Sequence, residues 1–160
     1  MKNLTFLSLV LMIFALQSCS GDKKNAESTA ETSTPPTESS ASDPSSYDPT
    51  RGLGKFDNVD VSKFDPAMAA EGEKIAQVKC ASCHKPTEEK LVGPGWKGVT
   101  TRQTPHWIMN FITNPDPMIN VDPELQKQLE LCLVRMPNQG LNDTEARSIL
   151  EYMRKIDGAK

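Results

Sequence analysis

The sequence predicts an all-α domain over residues 65–160, with about four to five helices. Three expected helix starts place a capping side chain directly before a proline: Asp65-Pro66, Thr104-Pro105 and Asp122-Pro123. Such a pair is typical of the first turn of a helix. A fourth start is the capping-box-like run Asn142-Asp143-Thr144-Glu145. Apolar residues follow each start at helical spacing, and no segment shows the alternating pattern of a strand.

The N-terminus has the pattern of a secretory signal. Lys2 precedes an apolar run, residues 4–16, which is shorter than the roughly 20 residues that a membrane-spanning helix needs. The run ends in Leu16-Gln17-Ser18-Cys19, which resembles the lipobox of bacterial lipoproteins. We therefore expect residues 1–18 to be a lipoprotein signal peptide and Cys19 to be the lipidated residue that attaches the protein to a membrane. The alternative is an ordinary signal peptide followed by an unrelated cysteine.

Residues 19–50 are predicted to be a lipid-anchored, disordered tether. Ser, Thr, Pro, Glu and Ala dominate this segment, which cannot bury enough apolar surface to offset the entropy of ordering it. Residues 51–64 carry scattered apolar side chains and are expected to form an extended lead-in over the domain surface. A flexible tether would let the domain, residues 65–160, reach partners away from the membrane. A spacer without any requirement for reach is the alternative.

The centre of the predicted domain is the run Cys80-Ala81-Ser82-Cys83-His84. Two thiols at this spacing can each add to one vinyl group of a haem, and the histidine is then held against the iron as a ligand. A Cys-x-x-Cys pair can also belong to a zinc site or to a redox dithiol. Zinc would need two further ligands, for which Cys132 and His106 are the candidates. A dithiol would need a βαβ setting that the sequence does not show.

These five residues resemble the haem-attachment motif of class I cytochromes c, and the resemblance runs from about Asp65 to Ile156. It implies a class I cytochrome c fold, with helices packed around one covalently bound haem c. In that fold Cys80 and Cys83 carry the haem, and His84 is an axial ligand of its iron. The order of helix, motif, Gly-Pro loop, Met-Pro loop and final helix is also that of the family.

Three further residues receive roles from the same resemblance. In the family a proline carbonyl accepts a hydrogen bond from the second ring nitrogen of the axial histidine, and Pro94 matches that position. An aromatic side chain lies near the haem propionates, for which Trp107 is the candidate. The run Arg135-Met136-Pro137 resembles the loop that carries the second axial ligand, so Met136 is the expected sixth ligand. Met118, in a proline-rich stretch expected to be flexible, and His106 are the competing ligands.

The resemblance implies one-electron transfer and no enzyme activity, because two axial ligands leave no open position on the iron. The expected partners are a quinol-linked donor and a terminal reductase or oxidase, on the periplasmic side of a bacterial cell envelope. A net charge of −3 without any basic run argues against nucleic-acid binding. Two alternatives stay open. One is a haem peroxidase or gas sensor with a labile sixth ligand, and the other is a zinc-binding lipoprotein without a redox role.

Overall fold

Helices dominate the part of the chain that the computed structural model describes, residues 47–160. The six helices are α1 (Pro66–Lys79), α2 (Val99–Arg102), α3 (Pro105–Thr113), α4 (Pro115–Val121), α5 (Pro123–Cys132) and α6 (Asp143–Ile156). Within this range no β-strand forms, and a single isolated antiparallel bridge joins His84 and Lys90. The predicted all-α fold is therefore confirmed. None of these six helices has both the length and the apolar character needed to cross a membrane.

The four predicted helix starts are correct. The side chains of Asp65 and Asp122 each accept from two backbone N–H groups of the following turn, and the Thr104 side chain accepts from one. Each of these turns begins with a proline. Asn142 and Glu145 form the reciprocal capping box at the start of α6. Each cap supplies an acceptor for N–H groups that have no partner inside the helix, and this is why local sequence sufficed to place these starts.

Two short helices, α2 and α4, were not predicted, so residues 47–160 form six helices. The Asn114-Pro115 pair ends α3 and also begins α4. A proline suits the first helical position because the missing N–H would have no partner there anyway. Met118 is fully buried in α4, and Ile119 is 5% exposed. The stretch that was expected to be flexible is therefore part of the core.

The most extensive contact between helices is made by α1 and α6. The buried face of α1 consists of small residues, Ala69, Gly72 and Ala76, so the two backbones approach closely. A Cβ atom on Gly72 would collide with the backbone carbonyl of Ser148 in α6. The crossing therefore requires glycine at this position. The helix α1 that makes this crossing ends at Lys79, directly before Cys80.

The lead-in, residues 51–64, is tied to α3 and α6 by buried and half-buried polar side chains. Asn110 of α3 accepts from Phe56 N at 2.9 Å and donates to Phe56 O at 3.0 Å. On α6, Arg147 and Arg154 donate to backbone carbonyls of the lead-in and also bind the carboxylate of Glu151. Glu151 has no exposed surface, and a buried carboxylate is costly unless it is paired. The two arginines thus balance this charge and hold the lead-in against α6.

The predicted signal peptide and most of the predicted tether lie outside the described residues, and so does Cys19. The boundaries proposed from the sequence therefore stay predictions. The last part of the predicted tether, residues 47–50, is described and contacts the domain. Tyr47 donates to a carboxylate oxygen of Asp122 at 2.5 Å, and the Thr104 hydroxyl donates to the Thr50 carbonyl.

Candidate functional site

A mostly apolar cavity of about 260 Å³ lies between the segment after α1, the helices α3, α5 and α6, and the loop before α6. Its apolar wall includes Val99, Ile108, Phe111, Leu125, Leu129 and Ile149. All six residues that the sequence analysis assigned to cofactor binding line this cavity: Cys80, Cys83, His84, Pro94, Trp107 and Met136. An apolar cavity with a few converging polar groups is typical of a cofactor site.

The end of α1 positions the two thiols of the motif. Cys80 N–H still bonds to Ala76 O at 2.9 Å, and the Cys80 carbonyl accepts from both Cys83 N and His84 N at 3.0 Å. These bonds fold the motif into a tight turn at the cavity wall. Burial raises the pKa of the Cys80 thiol to about 11. A reactive redox thiol has a lowered pKa, so the raised pKa of Cys80 argues against the redox dithiol considered from the sequence.

The orientation of the His84 ring is fixed by a hydrogen bond to Pro94 and by close contact with Gly93. Its Nδ1 lies 2.8 Å from the carbonyl oxygen of Pro94, and because a carbonyl only accepts, Nδ1 carries the proton and Nε2 is left to bind a metal. Burial lowers the pKa of His84, against an opposing upward effect of the bond to Pro94, which favours the neutral imidazole that metal binding requires. A Cβ atom on Gly93 would lie 2.5 Å from His84 Cε1, so the ring is also confined sterically.

We call residues 83–97 the histidine-side loop. Its backbone folds back on itself, since Cys83 O accepts from Gly93 N at 2.8 Å and Trp96 N donates to Lys85 O at 2.9 Å. The indole of Trp96 lies against the imidazole of the motif, with ring centroids 5.6 Å apart. Backbone bonds of this kind hold the loop independently of any one side chain.

We call residues 134–141 the methionine-side loop. Met136 is half-buried within it and lines the cavity. Among the described residues, no bond between two backbone groups involves this loop. Its ties run through side chains instead: Arg135 reaches α4, and Lys79 Nζ donates to Gln139 O at a long 3.5 Å. The loop is therefore fastened at a small number of separate points.

Besides Met136, the described residues include four other methionines: Met68, Met109, Met118 and Met153. Met153 lines the cavity from α6, as Met136 does from its loop. Met118 does not line it, because its methyl group packs against Gly52 inside the core. The interpretation of Met118 as a flexible competitor was therefore wrong. His106 is half-buried in the first turn of α3 and does not line the cavity either.

Trp107 is 5% exposed and stacks on Phe111, with ring centroids 5.0 Å apart. Its indole N–H donates to the Tyr47 hydroxyl at 3.4 Å, and that hydroxyl donates to Asp122. Burial, followed by the bond to Asp122, raises the pKa of Tyr47 above its ordinary value, so the phenol stays protonated. These contacts fix the orientation of the indole at the cavity wall. Its expected place near the haem propionates stays a prediction.

The zinc site considered from the sequence does not form in the described part of the chain. No group of three or more His, Cys, Asp or Glu side chains is placed there to hold a metal ion. Cys132 is half-buried and lines the cavity, whereas His106 does not line it. The two ligands that zinc would have needed are thus not assembled around the motif.

The sequence analysis missed α4 and the contact that Arg135 makes with it. Asp116 gives the first turn of α4 an acidic residue, and together with Asn114-Pro115 this is the same start signal that identified the other helices. Arg135 lines the cavity, and its guanidinium donates to the Asp116 carboxylate. No local pattern reveals this bond, because it joins residues that are 19 positions apart.

Comparisons with known proteins agree with this geometry. The sequence profile of the family described as Cytochrome c matches residues 69–157. The solved cytochrome c from Rhodothermus marinus is 33% identical with a TM-score of 0.61, over 64% of this chain and 89% of that chain. An engineered cytochrome c from the same organism, Rma TDE, is 32% identical with a TM-score of 0.61, over 64% and 90% of the two chains. Rma TDE bound to a carbene intermediate is 33% identical with a TM-score of 0.59, over 64% and 89%. No curated protein matches the chain.

Proposed function

The chain belongs to the cytochrome c family, and on this premise we propose that His84 and Met136 are the axial ligands of the haem iron. As a class I c-type cytochrome, the chain binds haem c covalently and serves in electron transport. The observation that carries the proposal is that all six expected residues line one mostly apolar cavity. Its two thiols, one imidazole and one loop thioether are the donor set that such a haem requires.

Different residues of the cavity would hold the haem in different ways. Cys80 and Cys83 would form the thioether links, and His84 would coordinate through Nε2. When bound, the haem supplies an iron that accepts and releases one electron. The bond from His84 Nδ1 to Pro94 O fixes the ring orientation and raises the basicity of Nε2. The apolar wall limits the access of water, which is one of the factors that set the reduction potential.

We propose that the protein is an electron carrier and not an enzyme, because side chains would fill both axial positions. The alternative, a haem peroxidase or gas sensor, requires a sixth ligand that leaves easily. Carbon monoxide binding to the reduced, folded, full-length protein separates the two. Absence of binding at neutral pH supports the carrier. Rapid binding at micromolar concentration supports the alternative.

The ligand assignment is tested by replacing Met136 with Ala. The oxidised wild-type protein should show the weak sulfur-to-iron charge-transfer band in the far red. Met136→Ala should abolish this band and open the iron to carbon monoxide. The measurement is the absorption spectrum of the purified full-length protein, before and after the addition of carbon monoxide to the reduced form.

Two matched variants control for the other buried thioethers. Met153→Leu removes the second methionine of the cavity wall, and Met118→Leu removes one that packs in the core. Leucine has a similar volume, so the packing should be largely preserved. Both variants should keep the band. If Met153→Leu loses the band while Met136→Ala keeps it, the sixth ligand is Met153.

We also propose that a lipid on Cys19 holds the protein to a bacterial cell envelope membrane, with the domain facing the periplasm. The support is the lipobox-like run that ends at Cys19, after an apolar stretch too short to span a bilayer. Mass spectrometry of the mature protein should find an acylated Cys19 as its first residue. A mature N-terminus elsewhere, without acyl mass, would exclude the lipid anchor.

The proposed partners are a quinol-linked electron donor and a terminal reductase or oxidase of an envelope respiratory chain. The support is the combination of a covalent redox group with the expected anchor and tether. Pull-down of the full-length protein from envelope membranes should recover such an enzyme. The recovered enzyme should exchange electrons with the protein in a stopped-flow experiment. A partner without any redox centre would contradict this proposal.

A further inference from the structure

Arg135, the residue directly before Met136, ties the methionine-side loop to α4. Its Nε donates to a carboxylate oxygen of Asp116 at 2.6 Å. One terminal nitrogen donates to the Asp116 backbone carbonyl at 3.2 Å and to the side-chain oxygen of Asn120 at 2.6 Å. The planar guanidinium thus reaches three acceptors on one helix, which a lysine could not match in geometry.

The helix that receives this side chain is fixed in the core. Pro115, Met118 and Ile119 form the buried side of α4. Asp116 and Asn120 are exposed and lie four positions apart, so they share one face of the helix. Arg135 therefore binds to an element that is anchored in the core.

Little else holds the start of the methionine-side loop. No bond between two backbone groups involves it among the described residues. Lys79 donates to Gln139 O at 3.5 Å, which is at the limit of a hydrogen bond. Met136 itself makes apolar contacts at the cavity wall. The three bonds of Arg135 are thus the strongest polar tie next to the proposed ligand.

We propose that Arg135 is a positioning residue that holds Met136 in place by clamping its loop to α4, and that it thereby controls the access of external ligands to the haem iron. This inference rests on the proposed function, since it takes Met136 as the sixth ligand. A looser loop spends a larger fraction of time with Met136 displaced. The apparent affinity of an external ligand rises with that fraction.

Imidazole binding to the oxidised, haem-loaded, full-length protein measures this opening. Arg135→Gln should bind imidazole about threefold to fivefold more tightly than wild type, because the lost ion pair with Asp116 is exposed to solvent and therefore weak. Arg135→Lys keeps the positive charge but loses the planar set of N–H donors of the guanidinium. Its imidazole affinity should therefore lie between those of wild type and Arg135→Gln. Lys127→Gln is the matched control, because it removes an exposed ion pair with Glu124 away from the loop. Its imidazole affinity should equal that of wild type.

A double-mutant cycle tests the partner on α4. Asp116→Asn should tighten imidazole binding by a few-fold in the wild-type background and should have little further effect in Arg135→Gln. For Arg135→Gln, the free energy of unfolding should change by less than the free energy of imidazole binding does. Equal effects of Asp116→Asn in both backgrounds would refute the clamp.

Met136→Ala separates failure of this inference from failure of the ligand assignment. If Met136 is the sixth ligand, its removal should give the tightest imidazole binding of the series. Should Met136→Ala bind imidazole no better than wild type, the proposed ligand is wrong. Should it bind tightly while Arg135→Gln and Lys127→Gln both match wild type, the ligand stands and the role of Arg135 is wrong.

Discussion

The two loops that carry the proposed iron ligands are held in different ways. The histidine-side loop is fastened by its own backbone, and Gly93 and Gly95 leave no room there for a side chain. The methionine-side loop has no such backbone bonds among the described residues. Apart from Gly140 and its two chain neighbours, no residue has an atom within 4 Å of the position that a Cβ would take on Gly140 in that loop. The backbone of the fold thus holds the loop of His84. The loop of Met136 is held by individual side-chain contacts, each of which can break without the others.

This difference predicts different responses to mutation. Backbone bonds and close packing belong to the cooperative unit, so disturbing them lowers the free energy of unfolding of the whole domain. Side-chain ties can break one at a time, so losing them should open a loop without unfolding the domain. Mutations in the histidine-side loop should therefore lower the free energy of unfolding. Mutations in the methionine-side loop should instead raise the affinity of the iron for external ligands.

The largest effect is expected from Gly93→Ala in the histidine-side loop. The new Cβ atom would lie 2.5 Å from His84 Cε1, and the bond to Pro94 restrains the ring from moving away. Overpacking of this kind should lower the free energy of unfolding by about 3 kcal/mol. The measurement is guanidinium unfolding of the haem-loaded protein, followed by circular dichroism.

Gly95→Ala is the companion variant. Its Cβ would collide with the Thr87 carbonyl rather than with the imidazole of His84. It should therefore lose comparable stability but keep the absorption bands of the wild-type haem, whereas Gly93→Ala should shift them. If both variants keep wild-type stability, the histidine-side loop does not belong to the cooperative unit of the domain.

A smaller loss is expected from Asp157→Asn, which removes the tie between α6 and the residues that follow the histidine-side loop. The Asp157 carboxylate accepts from Gly98 N at 2.5 Å, from Thr100 N at 2.9 Å and from the Thr100 hydroxyl at 2.6 Å. An asparagine would turn an N–H group toward these donors. The expected cost is about 2 kcal/mol of unfolding free energy at pH 7, with unchanged imidazole affinity.

The cost of Asp157→Asn should depend on pH. Burial raises the pKa of Asp157, but the hydrogen bonds from Thr100 and Gly98 outweigh it and hold the pKa below its ordinary value. The stabilisation is therefore complete above the ordinary aspartate pKa of about 3.9 and is lost as the pH falls through the lowered value. Unfolding curves of wild type and variant should converge below pH 4. A difference that stays constant down to pH 3 would show that the charge of Asp157 contributes nothing.

The helices could be predicted where a single local signal places them. A capping side chain followed by proline identified the starts of α1, α3 and α5, because both act within one turn. Asn114-Pro115 is a pair of the same kind, but it was not identified as a helix start, although it begins α4. The burial of Met118 could not be foreseen, since it depends on contact with the distant Gly52.

The residues of the candidate site that belong to a sequence motif could be predicted, and its long-range contacts could not. The spacing of the two cysteines and the histidine follows from the chemistry of one haem, so these residues were identifiable without a fold. The placement of Met136 at the same cavity as His84 needed the resemblance to a family. The clamp from Arg135 to α4 was not predictable, because long-range pairs of exposed polar side chains leave no periodic pattern.

The smallest effect on stability is expected from Gly140→Ala, and it tests the methionine side of the comparison directly. Gly140 has a φ of 60°, a left-handed conformation that costs other L-residues about 1 kcal/mol. No atom lies near enough to clash with the new methyl group, so the strain is confined to the backbone of the loop. Opening the loop relieves that strain, and about 1 kcal/mol corresponds to a roughly fivefold larger open population. Imidazole should therefore bind about fivefold more tightly, while the unfolding midpoint changes by far less than in Gly93→Ala. A loss of stability as large as that of Gly93→Ala would instead place the methionine-side loop inside the cooperative unit and remove the distinction between the two loops.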